Sequence, residues 1–598
     1  MRHDERTRDV FEDVAGYEKP PLAPLPDVDD YASLARQGFV RLTPTSRKVI
    51  GAALRAIGYR DFHETLPEHV EEILRGTNMR EGRLFAPAFS ATEALADDAR
   101  DIGAIDRAAT LIIAAQSLCR DVMSGRLSAD TLRGQPLEMG QYPNLFSTIA
   151  LVDGRARLFK GKRFDRVGVL VRRRIYILDL SADGVPTVPA VANALAAAVA
   201  DADGKPPVLD DDAPGILSAA KTRTLTSALR EMEASDPSTT SLAALRECFV
   251  VLCLDLDVSP SSAGELARCA QAANPANRWY LTSFQLVVFG NARAAAIFSF
   301  LAYLDGNVMA RSAAEIWQRA SRQPLATEGT PRSIPAPQPL SWRVNRRLAR
   351  RAWRQVRRVQ DDQVATFAIR GVGRERLLAA GVDPVSAFVL ALALATKRRA
   401  GSVPSIMQLV TISKYRCVPI GAAVVTTPEV RDFLDCVETG RDRTRAVSLL
   451  GAAIASQSRE CRSERERLSL RWPLEAFIRS RHGLGRVFTL SVFAAAMLVL
   501  KVTGSLGKKD VVISHPQIFS EIPVVGRPGV RLPYVNHFGL HYQIHQNEIV
   551  VTFMPGLKWR TPNAIFVQDI ERAIAEVLEI AGTARGRMAG DAGRPASR

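Results

Sequence analysis

In the first half of the chain, the pattern of apolar and polar residues predicts a helical region followed by strands and helices. Helical periodicity dominates 41–132, and two β-rich runs follow at 167–180 and 280–289. Between these runs, 189–202 and 216–234 have the periodicity of helices.

The second half predicts the same kinds of element. The predicted helices are 341–358, 387–396 and 563–582, and the predicted strands lie within 406–415, 508–517 and 548–556. Strands that alternate with long helices predict an α/β protein.

The longest apolar runs predict buried core helices rather than membrane spans. The runs 387–396 and 487–500 are both shorter than the roughly 20 residues that a bilayer span needs. The charged start of the chain, 1–13, has no apolar stretch and therefore no secretory signal. We expect a soluble protein without a transmembrane segment.

A proline-dense stretch divides the chain. Residues 323–340 carry four prolines in their last ten positions, which is typical of an extended linker. The predicted organisation is a flexible leader (1–16), a helical segment packing on the C-terminal domain (17–85), an N-terminal domain (86–322), the linker (323–340), a C-terminal domain (341–581) and a disordered tail (582–598).

Composition narrows the class of protein. The hydrophobic fraction of 47% and charged fraction of 24% are ordinary for a soluble globular chain, and exclude disordered, collagen-like and disulfide-scaffold classes. The net charge of +16 suits an acidic partner, such as an acidic carrier protein, a phosphorylated cofactor or anionic lipid. Seven cysteines without metal-like spacing predict reduced thiols, no metal site and a cytoplasmic location.

One predicted helix is strongly basic. Residues 341–358 hold eight arginines and no acid around one apolar stripe. Its charges are either merely solvated or form a docking surface for an anionic partner. Only two tryptophans interleave the arginines and no nucleic-acid motif accompanies them, so DNA and RNA are the weaker candidates.

Five segments, in order, resemble motifs of the choline/carnitine O-acyltransferases. They are YEKPPLAPLPDVDDY (17–31), GQPLEMGQYPNLFST (134–148), NRWYLTSFQLVVF (277–289), SHPQ (514–517) and GLHYQI (539–544). The resemblance covers about 17–580. It implies two α/β domains of the chloramphenicol acetyltransferase-like, coenzyme A-dependent acyltransferase fold, with the active site in a tunnel at the domain interface. It also implies a monomer, a catalytic histidine and serine hydroxyls that stabilise the oxyanion.

The sequence departs from this family where the chemistry is expected. Leu301 occupies the position of the family histidine, before Asp305 and Gly306, and leucine cannot accept a proton. In SHPQ, Ser514 and Gln517 match the family, but Pro516 replaces the oxyanion-binding serine and has neither hydroxyl nor N–H. Ordinary transfer to carnitine is therefore not expected.

The substrate-binding positions are partly kept. The loop 368–384, where the family has lysines for coenzyme A, carries Arg374 and Arg376 instead. Arg465 falls where the family pairs an arginine with the carnitine carboxylate; the alternative is one more charge on a charged helix. With Gln517, Tyr542 of GLHYQI completes the expected substrate contacts.

A different residue must replace the base, and His515 is the candidate, acting with Ser514. Strand alternation is the objection to His515, because Ser514 and its neighbour should face opposite sides. His541 is a weaker candidate.

Three functions remain open. Leucine at position 301 argues against a working carnitine or choline acyltransferase. Because Ser514, Gln517 and the segment 539–542 are kept, we favour an enzyme repurposed to act on an acyl thioester, borne by coenzyme A or a carrier protein as co-substrate. The alternative is an inactive pseudoenzyme that serves as a binding or scaffold protein. An acidic carrier protein is the expected partner at 341–358.

Overall fold

A computed structural model describes most of the chain. The described residues are 17, 20–21, 23–64, 90–132, 134–152, 156–161, 163–181, 186–299, 304–325, 334–360, 364–412, 414–416, 421–440, 442–466, 469–516, 525–528 and 535–592. The chain separates into two compact units. Unit 1 comprises Met1–Pro20, Met79–Thr366 and Ile522–Val530, and unit 2 comprises Pro21–Asn78, Phe367–Glu521 and Arg531–Arg598.

The α-helices, in chain order, are α1 (Tyr31–Arg36), α2 (Pro44–Ala56), α3 (Ala104–Met123), α4 (Val188–Asp203), α5 (Gly215–Ser218), α6 (Thr222–Glu233), α7 (Ser238–Arg246), α8 (Ala263–Arg268), α9 (Gly306–Ser321), α10 (Arg346–Gln360), α11 (Arg374–Ala379), α12 (Pro384–Ala400), α13 (Pro428–Thr439), α14 (Arg443–Glu466), α15 (Arg471–Ser480), α16 (Gly483–Val502) and α17 (Asn563–Ala592).

The strands are β1 (Ser90–Ala94), β2 (Thr131–Leu132), β3 (Gln135–Pro136), β4 (Thr148–Val152), β5 (Ala156–Lys160), β6 (Arg166–Val171), β7 (Arg174–Asp179), β8 (Val250–Asp255), β9 (Phe284–Phe289), β10 (Ala294–Ser299), β11 (Gln338–Pro339), β12 (Ala365–Arg370), β13 (Ile406–Val410), β14 (Gly421–Val424), β15 (Val511–Ser514), β16 (Val525–Pro528), β17 (Phe538–Ile544) and β18 (Glu548–Pro555).

Unit 1 is built on a mixed sheet with the order β11-β7-β6-β8-β9-β10-β1-β16 among the described residues. The run 167–180, which suggests one strand, is a hairpin of β6 and β7. Arg172 and Arg173 form its turn with φ of 50° and 63°. Two-residue hairpin turns require positive φ, and usually take it from glycine or asparagine, so two arginines give no turn signal.

The NRWY segment builds the core of unit 1. Arg278 is fully buried and forms an ion pair of 2.6 Å with Asp255. The Asn277 amide donates to the same carboxylate at 2.9 Å, and the Gln285 side chain accepts the backbone N–H of Trp279 at 2.8 Å. This segment is conformationally fixed by buried polar contacts, which are costly to leave unpaired.

Unit 2 has a second mixed sheet, ordered β12-β18-β17-β15-β13-β14 among the described residues. Helix α12 packs on this sheet as predicted for the run 387–396, and its residues from Ser386 to Lys397 are buried. Asp383 caps its start by accepting the Ser386 N–H at 2.8 Å, and Gly401 ends it at φ 70°. Both ends are therefore set by local sequence.

The N-terminal helices belong to unit 2. Gln37, which follows α1, is fully buried and donates a hydrogen bond to Glu464 of α14. The Ser33 hydroxyl accepts the backbone N–H of Leu470 at 3.0 Å. Burial raises the pKa of Glu464 to about 7. These contacts attach the beginning of the chain to the C-terminal unit.

Three boundaries expected from the sequence differ in the structure. The basic helix begins at Arg346 rather than 341 and lies in unit 1, so the unit boundary falls after Thr366 rather than at the linker. Helix α17 continues to Ala592, through the first part of the predicted disordered tail. The leader 1–16, the linker residues 326–333 and the tail residues 593–598 lie outside the described residues.

The apolar run 487–500 is not a buried core helix. It lies in α16, and 11% of its apolar window is buried. Among the described residues, this is the helix whose length and composition would suffice to cross a membrane. The apolar run extends to a full helix of 20 residues because α16 begins before and ends after it.

Candidate functional site

The pairing of β15 with β17 in unit 2 brings together two residues that are far apart in sequence. The strands are parallel and adjacent, and their register runs from Val511 opposite Phe538 to Ser514 opposite His541. Ser514 ends β15, so its side chain stands at the carboxyl edge of that strand. Ser514 and His541 therefore share one face of the sheet.

Ser514 and His541 are hydrogen-bonded. The Ser514 Oγ lies 2.9 Å from the His541 Nδ1. Burial lowers the pKa of His541 to about 4, so the imidazole is neutral at pH 7. Its other nitrogen, Nε2, is buried and has no hydrogen-bond partner within the described part of the chain. Buried polar atoms usually have a hydrogen-bond partner, and a bound substrate group would supply the one that Nε2 lacks.

His515 and Tyr542 form a second pair. Because successive residues of a strand point to opposite faces, Tyr542 faces away from His541. The ring of Tyr542 packs on Phe388 of α12 at a centroid distance of 4.5 Å, and His515 stacks on it at 5.0 Å with an interplanar angle of 17°. The structure thus places His515 against Tyr542, whereas Ser514 is bonded to His541.

The second pair is neutral, with Tyr542 fully buried and His515 half-buried. Burial lowers the pKa of His515 to about 3, and the nearby His541 and Arg465 act in the same direction. The His515 Nδ1 and the Tyr542 hydroxyl are both buried without hydrogen-bond partners in the described residues. Arg465 is half-buried near the end of α14, close enough to act electrostatically on His515. Three of the predicted site residues therefore cluster on the side of the sheet covered by α12.

Two predicted positions lie outside the described residues. These are Leu301, at the family's histidine position, and Gln517. The turn that follows position 301 is described: Asp305 caps α9 by accepting the N–H groups of Asn307 and Val308 at 2.9 and 3.0 Å. The Gln141 side chain in turn accepts the N–H of Asp305 at 2.8 Å, so the GQY motif holds this turn.

The two arginines proposed for coenzyme A are on the surface. Arg374 and Arg376 are exposed on the short helix α11, and the Arg376 guanidinium donates to the Gly371 carbonyl at 2.9 Å. They share no contact with Ser514 or His541 that the described residues show. Their role toward coenzyme A stays a prediction.

The basic helix α10 divides its arginines between two roles. Ala349, Ala352 and Val356 are fully buried and form its apolar stripe. Arg346 and Arg350 pair with Asp212 and Asp211, each at 2.6 Å. The acidic run 210–212 therefore neutralises one flank of the helix.

On the other side of α10 lies a stripe of arginines that form no ion pair with an acid of the described residues. Arg347, Arg351 and Arg354 are exposed, and at about 100° per residue they project opposite to the buried alanines. We call these three residues the arginine stripe. No cluster of His, Cys, Asp and Glu in the described part of the chain has an arrangement that could hold a metal ion.

The sequence contains a signal for His541 that motif reasoning missed. The segments VVIS (511–514) and FGLH (538–541) each have their polar residue in the fourth position. Parallel pairing of the two strands from their first residues therefore brings Ser514 opposite His541. Motif order alone directs attention to His515, which follows the matching serine directly.

Comparison with known proteins agrees with this architecture. The sequence profile of the family described as "Choline/Carnitine o-acyltransferase" matches residues 85–571, which confirms the fold class expected from the motifs. No curated protein sequence matches the chain significantly.

The solved structures that match this chain have low sequence identity and low TM-scores. The trichothecene 15-O-acetyltransferase from Fusarium sporotrichioides is 12% identical, with a TM-score of 0.40, over 86% of this chain and 94% of that one. The first condensation domain of the CDA synthetase is 12% identical, with a TM-score of 0.34, over 91% and 97%. The epimerization domain of tyrocidine synthetase B is 8% identical, with a TM-score of 0.33, over 83% and 92%.

Proposed function

The chain belongs to the choline/carnitine O-acyltransferase family, and we propose that it transfers an acyl group from a thioester with His541 as its base. The observation that carries the proposal is the neutral His541, hydrogen-bonded to Ser514 through Nδ1 at 2.9 Å, with a buried Nε2 that has no partner in the described residues. The acyl donor is coenzyme A- or carrier protein-bound, and carnitine is not the acceptor.

The proposed step is direct transfer. His541 Nδ1–H donates to Ser514, which leaves a lone pair on Nε2. Nε2 takes the proton of the acceptor hydroxyl, or of water, as the acceptor oxygen bonds to the thioester carbonyl carbon. The C–S bond then breaks, and the imidazolium returns the proton to the departing thiolate. Ser514 positions the ring, and the acyl group never bonds to the protein.

Measurement of thiol release with a panel of acyl-coenzyme A and acyl-carrier thioesters, with and without carnitine, tests this function. We expect release that does not depend on carnitine. Carnitine-dependent release would show that ordinary family chemistry survives. No release from any donor in the panel would favour the alternative, an inactive binding or scaffold protein.

The arginine stripe supports a carrier protein as the bearer of the thioester. Three exposed arginines on one face of α10 offer a surface complementary to an acidic carrier protein. Two neighbouring arginines are already satisfied by Asp211 and Asp212, so the helix presents this charge in a fixed orientation.

Reversing the charge of this stripe should weaken carrier binding. We expect Arg351→Glu to raise the Kd for an acidic acyl carrier protein about tenfold at low salt, and added salt to reduce the difference. Arg445→Glu, at an exposed arginine of α14, is the matched control and should leave the Kd unchanged. A Kd that changes neither with added salt nor in Arg351→Glu would contradict the carrier proposal. Thiol release from acyl-coenzyme A would still support His541 as the base.

A further inference from the structure

Helix α16 exposes an unusually large apolar surface. Large hydrophobic side chains are exposed along its whole length: Leu484 (88%), Val487 (61%), Phe488 (54%), Leu490 (48%), Met497 (43%), Leu498 (62%), Val499 (43%) and Val502 (80%). A contiguous apolar patch of this kind marks a surface that another apolar phase covers. We call these eight residues the apolar face.

The opposite side of α16 is packed against the body of unit 2. Thr489 and Leu500 are buried, and Val492 and Phe493 lie half-buried against a core cluster that includes Ile50 of α2. At about 100° per residue, these four positions form one stripe, and Leu498 projects directly away from it. The helix is thus held along its length by one side only.

Both ends of α16 are fastened to the same core cluster. Phe477 of α15, before the helix, is fully buried there, and Leu506, after it, packs on the same cluster. The N–H of Gly507 donates to the Phe39 carbonyl at 2.9 Å. A helix whose two ends are attached to one globular unit cannot place them on opposite sides of a bilayer, so α16 is suited to lie flat on a membrane rather than to cross it.

The charge around the apolar face has one sign. Between Glu475 and Asp510 the sequence has six lysines and arginines and no acid. Three of them, Arg486 near the start of α16, Lys501 near its end and Lys508 beyond, are exposed. Apolar side chains flanked by cations are the combination that binds the interface of an anionic bilayer.

A second copy of the chain fits this surface less well. Two apolar faces related by a two-fold axis would set Arg486 of one copy near Lys501 of the other if the helices ran antiparallel, and would set each cation near its own counterpart if they ran parallel. These like charges would repel in a self-complex, whereas anionic headgroups would pair with both.

We propose that the apolar face of α16 docks the protein on an anionic lipid surface, with Val487, Leu498 and Val502 in the acyl-chain boundary and Arg486 and Lys501 at headgroup level. The site is separate from Ser514 and His541 and does not depend on the acyl-transfer proposal. It corrects the sequence expectation that 487–500 is core, and it agrees with the anionic-lipid partner that the net charge suggests.

Co-sedimentation of the full chain with vesicles tests the proposal. We expect binding to phosphatidylcholine vesicles that contain phosphatidylserine, and at least tenfold weaker binding to vesicles of phosphatidylcholine alone. Leu498→Glu should reduce binding to the anionic vesicles at least tenfold. Leu209→Glu, at a leucine with nearly the same exposure (63% against 62%) in unit 1, is the matched control and should bind as the unaltered chain does.

Further measurements distinguish the anionic lipid surface from a second copy of the chain as the occupant of the apolar face. Replacing both Arg486 and Lys501 with glutamine should weaken anionic-vesicle binding and its salt dependence without affecting thermal unfolding. Absence of vesicle binding by the unaltered chain, or equal loss in Leu498→Glu and Leu209→Glu, would overturn the proposal. If light scattering showed a dimer that Leu498→Glu converts to a monomer, with no vesicle binding, a second copy would be the occupant instead.

Discussion

Replacing His541 with asparagine should lower acyl-thioester turnover by about 10²–10⁴-fold, the usual contribution of a positioned general base. Asparagine places a hydrogen-bonding atom where the histidine has Nδ1, so the contact with Ser514 can persist. The Nε2 atom and its lone pair are lost with the outer part of the ring. The change therefore isolates the atom that the proposed step uses. The measurement is kcat/KM for thiol release, with thermal unfolding as the check that the variant is folded.

His515→Phe is the control for His541→Asn. Phenylalanine keeps the stack on Tyr542, which is the contact that the structure shows for His515. We expect thiol release close to that of the unaltered chain. A large loss in His515→Phe combined with little loss in His541→Asn would reverse the assignment of the base and restore the choice made from motif order.

Ser514→Ala separates direct transfer from a serine nucleophile. If Ser514 only orients His541, we expect a loss of about tenfold, smaller than that of a missing base. No acylated protein should be detected by mass spectrometry. An acyl group trapped on Ser514, together with a loss as large as that of His541→Asn, would show that Ser514 attacks the thioester and that His541 serves it through Nδ1.

The decline of turnover at low pH follows from the burial of His541. The proposed base must be neutral, and burial lowers the pKa of His541 to about 4 instead of its ordinary value near 6.5. Turnover should therefore stay level as the pH falls through 6.5 and decline only near pH 4. A decline centred near pH 6.5 would indicate a solvated histidine as the base, in contradiction to the buried His541.

The sequence predicts the architecture of the site more readily than its chemistry. Motif order is enough to identify the family and to place Ser514 and Tyr542 on strands of one sheet. Which histidine meets Ser514 depends on strand pairing, because residues 27 positions apart become neighbours only when β15 and β17 are in register. Nearness in sequence points to His515, but alternation along a strand turns adjacent residues to opposite faces.

Helix α16 shows what composition cannot determine. The apolar runs of α12 and α16 have similar residues, yet α12 is buried on nearly every side and α16 on one. The hydropathy of a helix depends on its own residues, whereas its burial depends on which other elements pack against it. Cations lie near both ends of α16, whereas the first half of α12, which packs against the core, has none. This difference is the sequence feature that distinguishes the two helices.

The largest expected effect on stability lies in unit 1, at Asp255. This carboxylate is 2% exposed, accepts from the fully buried Arg278 guanidinium at 2.6 Å, and accepts the side-chain amides of Asn274 and Asn277 at 2.8 and 2.9 Å. Asp255→Ala leaves the Arg278 charge buried without its counter-ion and should lower the free energy of unfolding by about 3–5 kcal/mol.

Asp257→Ala is the matched control, because the ion pair of Asp257 with Arg172 is solvent-exposed. This substitution should lower the free energy of unfolding by less than about 1 kcal/mol. Urea unfolding of the two variants, followed by circular dichroism, measures the difference. Equal losses would mean that the NRWY segment is held by packing alone and that its buried ion pair contributes little to the fold.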